Sequence, residues 1–182
     1  MRALLQVLTA LTLLAYPVAV YFGLNYLPAG TIALVLCVLL IVRLMLQKQK
    51  VKTLVLPLLV GIALTAGSYL AKRSDWLLYY PVVINLTMLA LFSYSLHTGP
   101  CMIESLARLK EPDLPDEAIP YLKKVTLLWC GLFILNGSMA AYTAGFTSLA
   151  TWTLYNGLIA YVLMGLLLGG EWLYRSFWLK KT

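Results

Sequence analysis

Acidic side chains are concentrated in one short segment of the sequence. Five of the seven Asp and Glu residues lie between Glu104 and Glu117. Asp113, Asp116 and Glu117 could hold Mg²⁺ against a pyrophosphate group, because this cation prefers carboxylate oxygens and often shares them with substrate phosphates. The chemistry would be that of a metal-dependent membrane transferase. Such enzymes normally carry a second acidic motif, which no comparable loop of this sequence supplies, so we favour a structural role at a helix start.

The composition indicates which elements must position these residues. Of the 182 residues, 62% are hydrophobic and 12% are charged, and the mean hydropathy of +0.85 is far above that of soluble proteins. The apolar residues form continuous blocks, and about 20 residues at 1.5 Å each match a hydrocarbon layer of roughly 30 Å. Strands would leave backbone groups unpaired in lipid. We therefore predict an all-α membrane protein with a single polytopic domain, 1–182.

Six apolar blocks predict six transmembrane helices arranged as three hairpins. Their approximate bounds are 4–22, 32–46, 54–71, 76–94, 125–144 and 149–169. A cytoplasmic loop, 97–124, joins the fourth helix to the fifth, and a cytoplasmic tail, 170–182, follows the sixth. The first block lacks a clear cleavage site, so we interpret it as a retained helix and not as a removed signal peptide.

Basic residues predict how the chain is threaded. If the N-terminus is cytoplasmic, twelve of the fourteen Lys and Arg residues lie on that side, and only Lys72 and Arg73 lie on the other. This asymmetry predicts a bacterial inner-membrane protein with both termini in the cytoplasm. The net charge of +7 then faces anionic lipid headgroups. We therefore predict the lipid bilayer as a partner and no nucleic-acid partner.

The predicted loop begins with a short amphipathic helix. At 100° per residue, the segment PCMIESLARLK places apolar and charged side chains on opposite faces. The apolar face contains Met102, Ile103, Leu106 and Leu109, and the opposite face contains Glu104, Arg108 and Glu111. Pro100 suits the first helical position, where a missing amide proton costs nothing. We predict that this helix lies along the inner membrane surface with its apolar face towards lipid.

Proline and acidic residues then predict a second helix start. Pro112 should end the interfacial helix, and Asp113 can cap the next one. Asp116 and Glu117 would lie in its first turn, where the helix dipole stabilises negative charge. The clustered carboxylates are therefore largely explained by the need to stop one helix and begin another.

Three amides are predicted to form a polar layer inside the membrane. Asn85, Asn136 and Asn156 fall at nearly one depth when residues are counted from the outer ends of the fourth, fifth and sixth helices. Amides in lipid tend to hydrogen-bond across helices, for around 1 kcal/mol each. We interpret this amide layer as structural, with a lining for a substrate pathway as the alternative.

Small residues predict where the last helices approach closely. Gly137, Ala141 and Gly145 recur every four residues, and Gly157 offers a similar surface on the sixth helix. Trp129 shares a face with Asn136, and Trp152 shares a face with Asn156, which predicts a buried seam. These surfaces are also compatible with a homo-oligomer.

Two further classes of chemistry are disfavoured. Cys37, Cys101 and Cys130 form no CxxC pair and no ligand set with a histidine, so we predict no disulfide, metal or other cofactor. No ionisable residue lies at mid-depth in any predicted span. Proton-coupled transporters and ion pumps usually need one, which argues against both.

Two stretches of the second half, PCMIESLARLKEPDLPDEAIPYLKKVTLLWCGLFILNG and LYNGLIAYVLMGLLLGGEW, carry a family resemblance. They resemble an uncharacterised family of proteobacterial inner-membrane proteins, whose members often lie in gene clusters with fatty-acid-synthase-like enzymes that make aryl polyene type pigments. Leu114, Pro115, Trp129, Phe133 and Gly137 are distantly similar to the pattern of intracellular septation protein A. The resemblance covers roughly 97–175 and implies a membrane setting without supplying a catalytic site.

Three functional hypotheses follow from these observations. We favour an inner-membrane accessory or scaffold protein without catalysis of its own, which holds a lipid-type (acyl or polyene) biosynthetic or cell-envelope complex through a protein partner at the cytoplasmic face. The alternative is a small carrier or flippase for an amphipathic acyl product, with the three amides lining its route. The third is a Mg²⁺-dependent membrane transferase that uses Asp113, Asp116 and Glu117.

Overall fold

The computed structural model describes residues 21–22, 38, 55–70, 74–109 and 111–177. The predicted first and second helices, 4–22 and 32–46, therefore lie almost entirely outside the described residues. The described residues are overwhelmingly helical and contain no strand, as expected for an all-α protein.

The helices follow one another with short connections. In chain order the elements are α1 (Val55–Leu70), a 3₁₀ turn (Ser74–Tyr79), α2 (Tyr80–Thr98), α3 (Met102–Ala107), a 3₁₀ turn (Asp116–Ala118), α4 (Ile119–Phe146), α5 (Leu149–Leu154), a π turn (Tyr155–Ile159) and α6 (Ala160–Phe177). The segments from α5 to α6 form one continuous helical stretch, which we call the last helix.

Three described helices are long and apolar enough to cross a membrane: Trp76–Thr98, Asp116–Phe146 and Leu149–Phe177. They correspond to the predicted fourth, fifth and sixth helices. At 1.5 Å per residue they extend about 35, 46 and 43 Å, whereas the hydrocarbon core is about 30 Å thick. The last two helices are therefore long enough to extend beyond the hydrocarbon core. The predicted third helix, 54–71, is present as α1, with 16 residues.

Proline marks the starts of α2 and α4, but not every predicted cap is formed. A proline occupies the first turn of each helix, where its missing amide proton costs nothing. Asp113 does not cap the fifth helix, because Pro115 is the extended residue that precedes the helix, and the 3₁₀ turn begins at Asp116 without a side-chain cap. Pro100 likewise precedes α3 instead of occupying its first position, which Met102 takes. Ser148 caps α5 by accepting the Thr151 amide at 3.2 Å.

The α2 and α4 helices pack closely and run antiparallel. A Cβ atom added at Gly137 would lie 3.2 Å from the Cβ of Asn85, and one added at Gly145 would lie 3.7 Å from the Tyr79 hydroxyl. Towards the other end of α2, the Phe92 ring meets Phe133 edge to face, with centroids 5.0 Å apart. Gly137 is thus placed where the backbones approach, as small residues between membrane helices generally are.

Candidate functional site

The amide layer connects the fifth helix, which consists of α4 and the 3₁₀ turn before it, to the last helix through two hydrogen bonds. Asn136 is 3% exposed, and its Oδ1 accepts a bond from the Tyr155 hydroxyl at 2.9 Å. Asn156 is 6% exposed and donates its Nδ2 to the Thr143 hydroxyl at 3.3 Å and to the Trp152 carbonyl at 2.9 Å. Each buried amide thus has a partner on the facing helix, which offsets the cost of burying it.

Asn85 occupies a different position from the other two amides. Its Nδ2 bonds the Pro81 carbonyl of its own helix at 2.8 Å. Its Cβ lies against Gly137, one residue from Asn136. The structure therefore brings Asn85 next to the fifth helix, without a hydrogen bond across the interface among those it describes.

Sequence reasoning missed the partners Tyr155 and Thr143. It considered only the three amides as members of the polar layer. Tyr155 adjoins Asn156 and follows Trp152 by three residues, and Thr143 lies seven residues after Asn136. Both positions therefore share a helix face with a residue already singled out, which is the signal that could have found them.

A buried tryptophan joins two helices at the end of the bundle near Ser148. Trp152 is 1% exposed, packs on Leu77, and donates its indole N–H to the Leu78 carbonyl at 3.0 Å. The carbonyl belongs to the 3₁₀ turn before α2, so this bond joins the last helix to the start of the fourth. The predicted seam of Trp152 and Asn156 is buried, whereas Trp129 is half-buried beside Phe92.

The short helix α3 is oriented differently from the prediction. Glu104, expected on the outward polar face, is 5% exposed, while Leu106 and Leu109 are 39% and 57% exposed. Met102 is buried against α2 and α4, and Ile103 is half-buried. The prediction that Glu104 lies on the outward polar face is therefore wrong, because its carboxylate is buried and paired with Arg108. Contact of the exposed Leu106 and Leu109 with lipid stays a prediction.

Arg108 holds the loop after α3 in shape. Its guanidinium binds Glu104 Oε1 through Nε at 3.0 Å and through Nη2 at 2.9 Å. A third nitrogen, Nη1, donates to the Pro112 carbonyl at 3.2 Å. The start of α3 is fixed separately, because the Met102 amide donates to the Ser95 hydroxyl at 2.9 Å. Planar guanidinium groups suit such multiple contacts, and the pairing satisfies the buried carboxylate.

The remaining acidic residues of this loop face outward. Glu111, Asp113, Asp116 and Glu117 are all exposed. Within the described residues, His, Cys, Asp and Glu form no group of three or more that could hold a metal ion. Asp116 and Glu117 occupy the 3₁₀ turn that leads into α4, where negative charge is favourable.

The last helix continues beyond the predicted end near residue 169. It remains helical to Phe177, and its final turns contact the start of α4. The rings of Tyr121 and Tyr174 stack with centroids 5.8 Å apart, and the Tyr121 hydroxyl donates to Glu171 Oε1 at 3.3 Å. Arg175 lies 3.5 Å from the same carboxylate oxygen. We call α3, the loop to Glu117 and these contacts the loop end of the bundle.

Comparisons with protein-family models, with curated proteins and with solved structures found no match for this chain. The geometry of the amide layer and of the loop end must therefore support any functional proposal by itself.

Proposed function

We propose that this chain is an integral inner-membrane accessory protein that holds a lipid-type biosynthetic or cell-envelope complex at the cytoplasmic face, without catalysis of its own. The proposed topology has six spans in three hairpins, with the loop end and both termini in the cytoplasm. We propose an acyl or polyene pathway because 97–175 resembles the family associated with aryl polyene gene clusters.

One observation carries the proposal: hydrogen bonds hold the backbone of the loop end, while its acidic side chains are exposed. Arg108 ties α3 to Pro112, while the acidic side chains at 111, 113, 116 and 117 remain exposed. Leu109, which is 57% exposed, lies at the start of the same loop. A surface that is ordered before binding loses less conformational entropy when a partner docks.

The amide layer supports the same proposal and weakens the carrier hypothesis. Asn136 and Asn156 are buried and already bonded to Tyr155 and Thr143. To line a route for an amphipathic product, both amides, which are 3% and 6% exposed, would have to become accessible to the substrate. As helix–helix bonds they serve packing, which is their more common role in membranes.

Affinity purification from gently solubilised membranes tests the proposal. The variant Asp113→Asn, Asp116→Asn, Glu117→Gln removes three exposed negative charges without shortening the loop. We expect a partner recovered with the wild-type protein to be reduced or lost with this variant, because charges at an interface select its partners.

The matched control is Lys123→Gln with Lys124→Gln, which removes two exposed positive charges at the same end of α4. It should retain the partner. Recovery of the wild-type protein alone, or equal recovery of a partner with the acidic variant, would overturn the proposal.

A further inference from the structure

A π turn interrupts the last helix at Tyr155–Ile159. A π turn contains more residues than an α turn, and single π turns inside α-helices often mark functional positions. This one lies at the depth of the amide layer, between Trp152 and the long apolar segment α6.

The turn brings two consecutive side chains to the same interface. Tyr155 and Asn156 are 7% and 6% exposed, and both bond the fifth helix. The following residues Leu158 and Ile159 are exposed, and Ala160 is buried again. Ala160, the first residue of α6, thus continues the buried side of the last helix after the π turn.

Conversion of this turn to α geometry would change the facing residues of all of α6. At 3.6 residues per turn, removal of one extra residue rotates the following helix by about 100°. Ile159 would then take the place of Ala160, and Gly170 would take the place of Glu171.

Ile159 in the place of the buried Ala160 would add volume and favour the observed register. Beyond residue 160, the apolar part of α6 does not discriminate strongly between the two registers. Leu163 and Leu166 would take the places of the partly buried Met164 and Leu167, and all four are apolar side chains of similar size. The polar contacts at the two ends of this segment would differ far more between the two registers. Tyr155 bonds Asn136 at the π turn, and Glu171 and Tyr174 meet Tyr121 at the loop end.

We propose that the last helix has two registers and that the Tyr155–Asn136 hydrogen bond holds the observed one. The amide layer is thereby coupled to the loop end: release of this bond lets the turn become α-helical and rotates Glu171 away from Tyr121. Such changes of register between packed helices are a known form of conformational switch. This coupling is a property of the isolated chain and does not depend on the proposed scaffold role.

Thiol crosslinking in membranes tests the coupling. In a background with Cys37, Cys101 and Cys130 replaced by Ala, two variants are compared: Tyr121→Cys with Glu171→Cys, and Tyr121→Cys with Gly170→Cys. Both remove the Tyr121 contact, which leaves the Tyr155–Asn136 and Asn156–Thr143 bonds as the described polar restraints on register. A bifunctional thiol reagent with the shortest available spacer should favour the pair with residue 171.

Addition of Tyr155→Phe should shift the yield from residue 171 towards residue 170. We expect the ratio to change about fivefold, the effect of losing one hydrogen bond. Tyr142→Phe is the matched control, because it removes a hydroxyl from an exposed ring stacked on Phe146 and should leave the ratio unchanged.

Deletion of Leu158 provides the decisive second variant. It shortens the turn to α length while keeping residues 160–177 in the observed register. In the Tyr155→Phe background it should restore the preference for residue 171. An unchanged ratio in Tyr155→Phe, or a preference for residue 170 that persists after the deletion, would overturn the proposal.

Discussion

At the scale of single residues, burial and hydrogen bonding decide what each polar side chain does. Asn136 and Asn156 are nearly inaccessible and have partners on the facing helix. Glu104 is equally buried, but its partner Arg108 lies one turn away on the same short segment. The amides thus join separate helices, whereas the ion pair shapes a single loop.

The Asn136–Tyr155 bond should appear as a coupling energy. Asn136→Ala and Tyr155→Phe should each lower the free energy of unfolding. The loss in the double variant should be smaller than the sum of the two single losses by about 1 kcal/mol, because each single change leaves a buried partner without its hydrogen bond. Denaturant titration in detergent measures all three. Simple additivity would show that the bond contributes nothing to folding.

Loss of the Arg108 side chain should loosen the loop. Arg108→Gln removes the ion pair to Glu104 and leaves that carboxylate buried and uncompensated. We expect a glutamate-specific protease to cleave after Glu117 severalfold faster, because cleavage follows the population of the open loop. Arg175→Gln, which breaks an exposed pair with Glu171, is the control and should leave the rate nearly unchanged. Equal rates in Arg108→Gln and wild type would refute this role.

At the scale of elements, close approach between α2 and α4 depends on one glycine. The space at Gly137 is bounded by Asn85, whereas a Cβ at Gly131 would meet nothing within 4 Å. The two glycines lie in the same helix and differ in what faces them. Substitutions at these two glycines therefore distinguish the effect of packing on stability from the effect of helix propensity.

Gly137→Leu should destabilise the protein by about 1–3 kcal/mol through overpacking. Gly131→Leu should be neutral or stabilising by up to about 1 kcal/mol, because leucine has the higher helix propensity and its side chain enters open space. Stability in detergent, followed by circular dichroism, measures both. A similar loss in the two variants would mean that helix approach at Gly137 is not limiting.

At the scale of the whole molecule, the fifth helix relates the loop end to the opposite end of the bundle. The helix spans Asp116–Phe146 and is about 46 Å long. The exposed residues Glu111 and Ser148 flank it. If it crosses the bilayer, these two positions must lie on opposite sides.

Cysteine labelling in intact cells tests this threading. In the cysteine-free background, Ser148→Cys should react with a membrane-impermeant maleimide from outside, and Glu111→Cys should react only after permeabilisation, as the distribution of basic residues predicts. Labelling of Glu111→Cys alone would invert the topology. Labelling of both from outside would show that the fifth helix does not span.

Much of the described fold could be predicted from the sequence. The spans near 76–94, 125–144 and 149–169 follow from apolar length alone, because lipid requires every backbone group to be bonded within its own helix. Pro120 fits only the first turn of a helix, because it lacks the amide proton that a helix interior requires, and it lies in the first turn of α4. These properties are local, so the order of residues determines them.

Tertiary structure alone decided which side chains meet. Tyr155 as the partner of Asn136, the inward position of Glu104 and the stacking of Tyr174 on Tyr121 each depend on how one helix is rotated against another. In lipid, helical periodicity does not set that rotation, since lipid-facing and protein-facing surfaces are both apolar. It is set by close packing and by a few polar bonds, whose partners lie 13 to 74 residues apart in the chain.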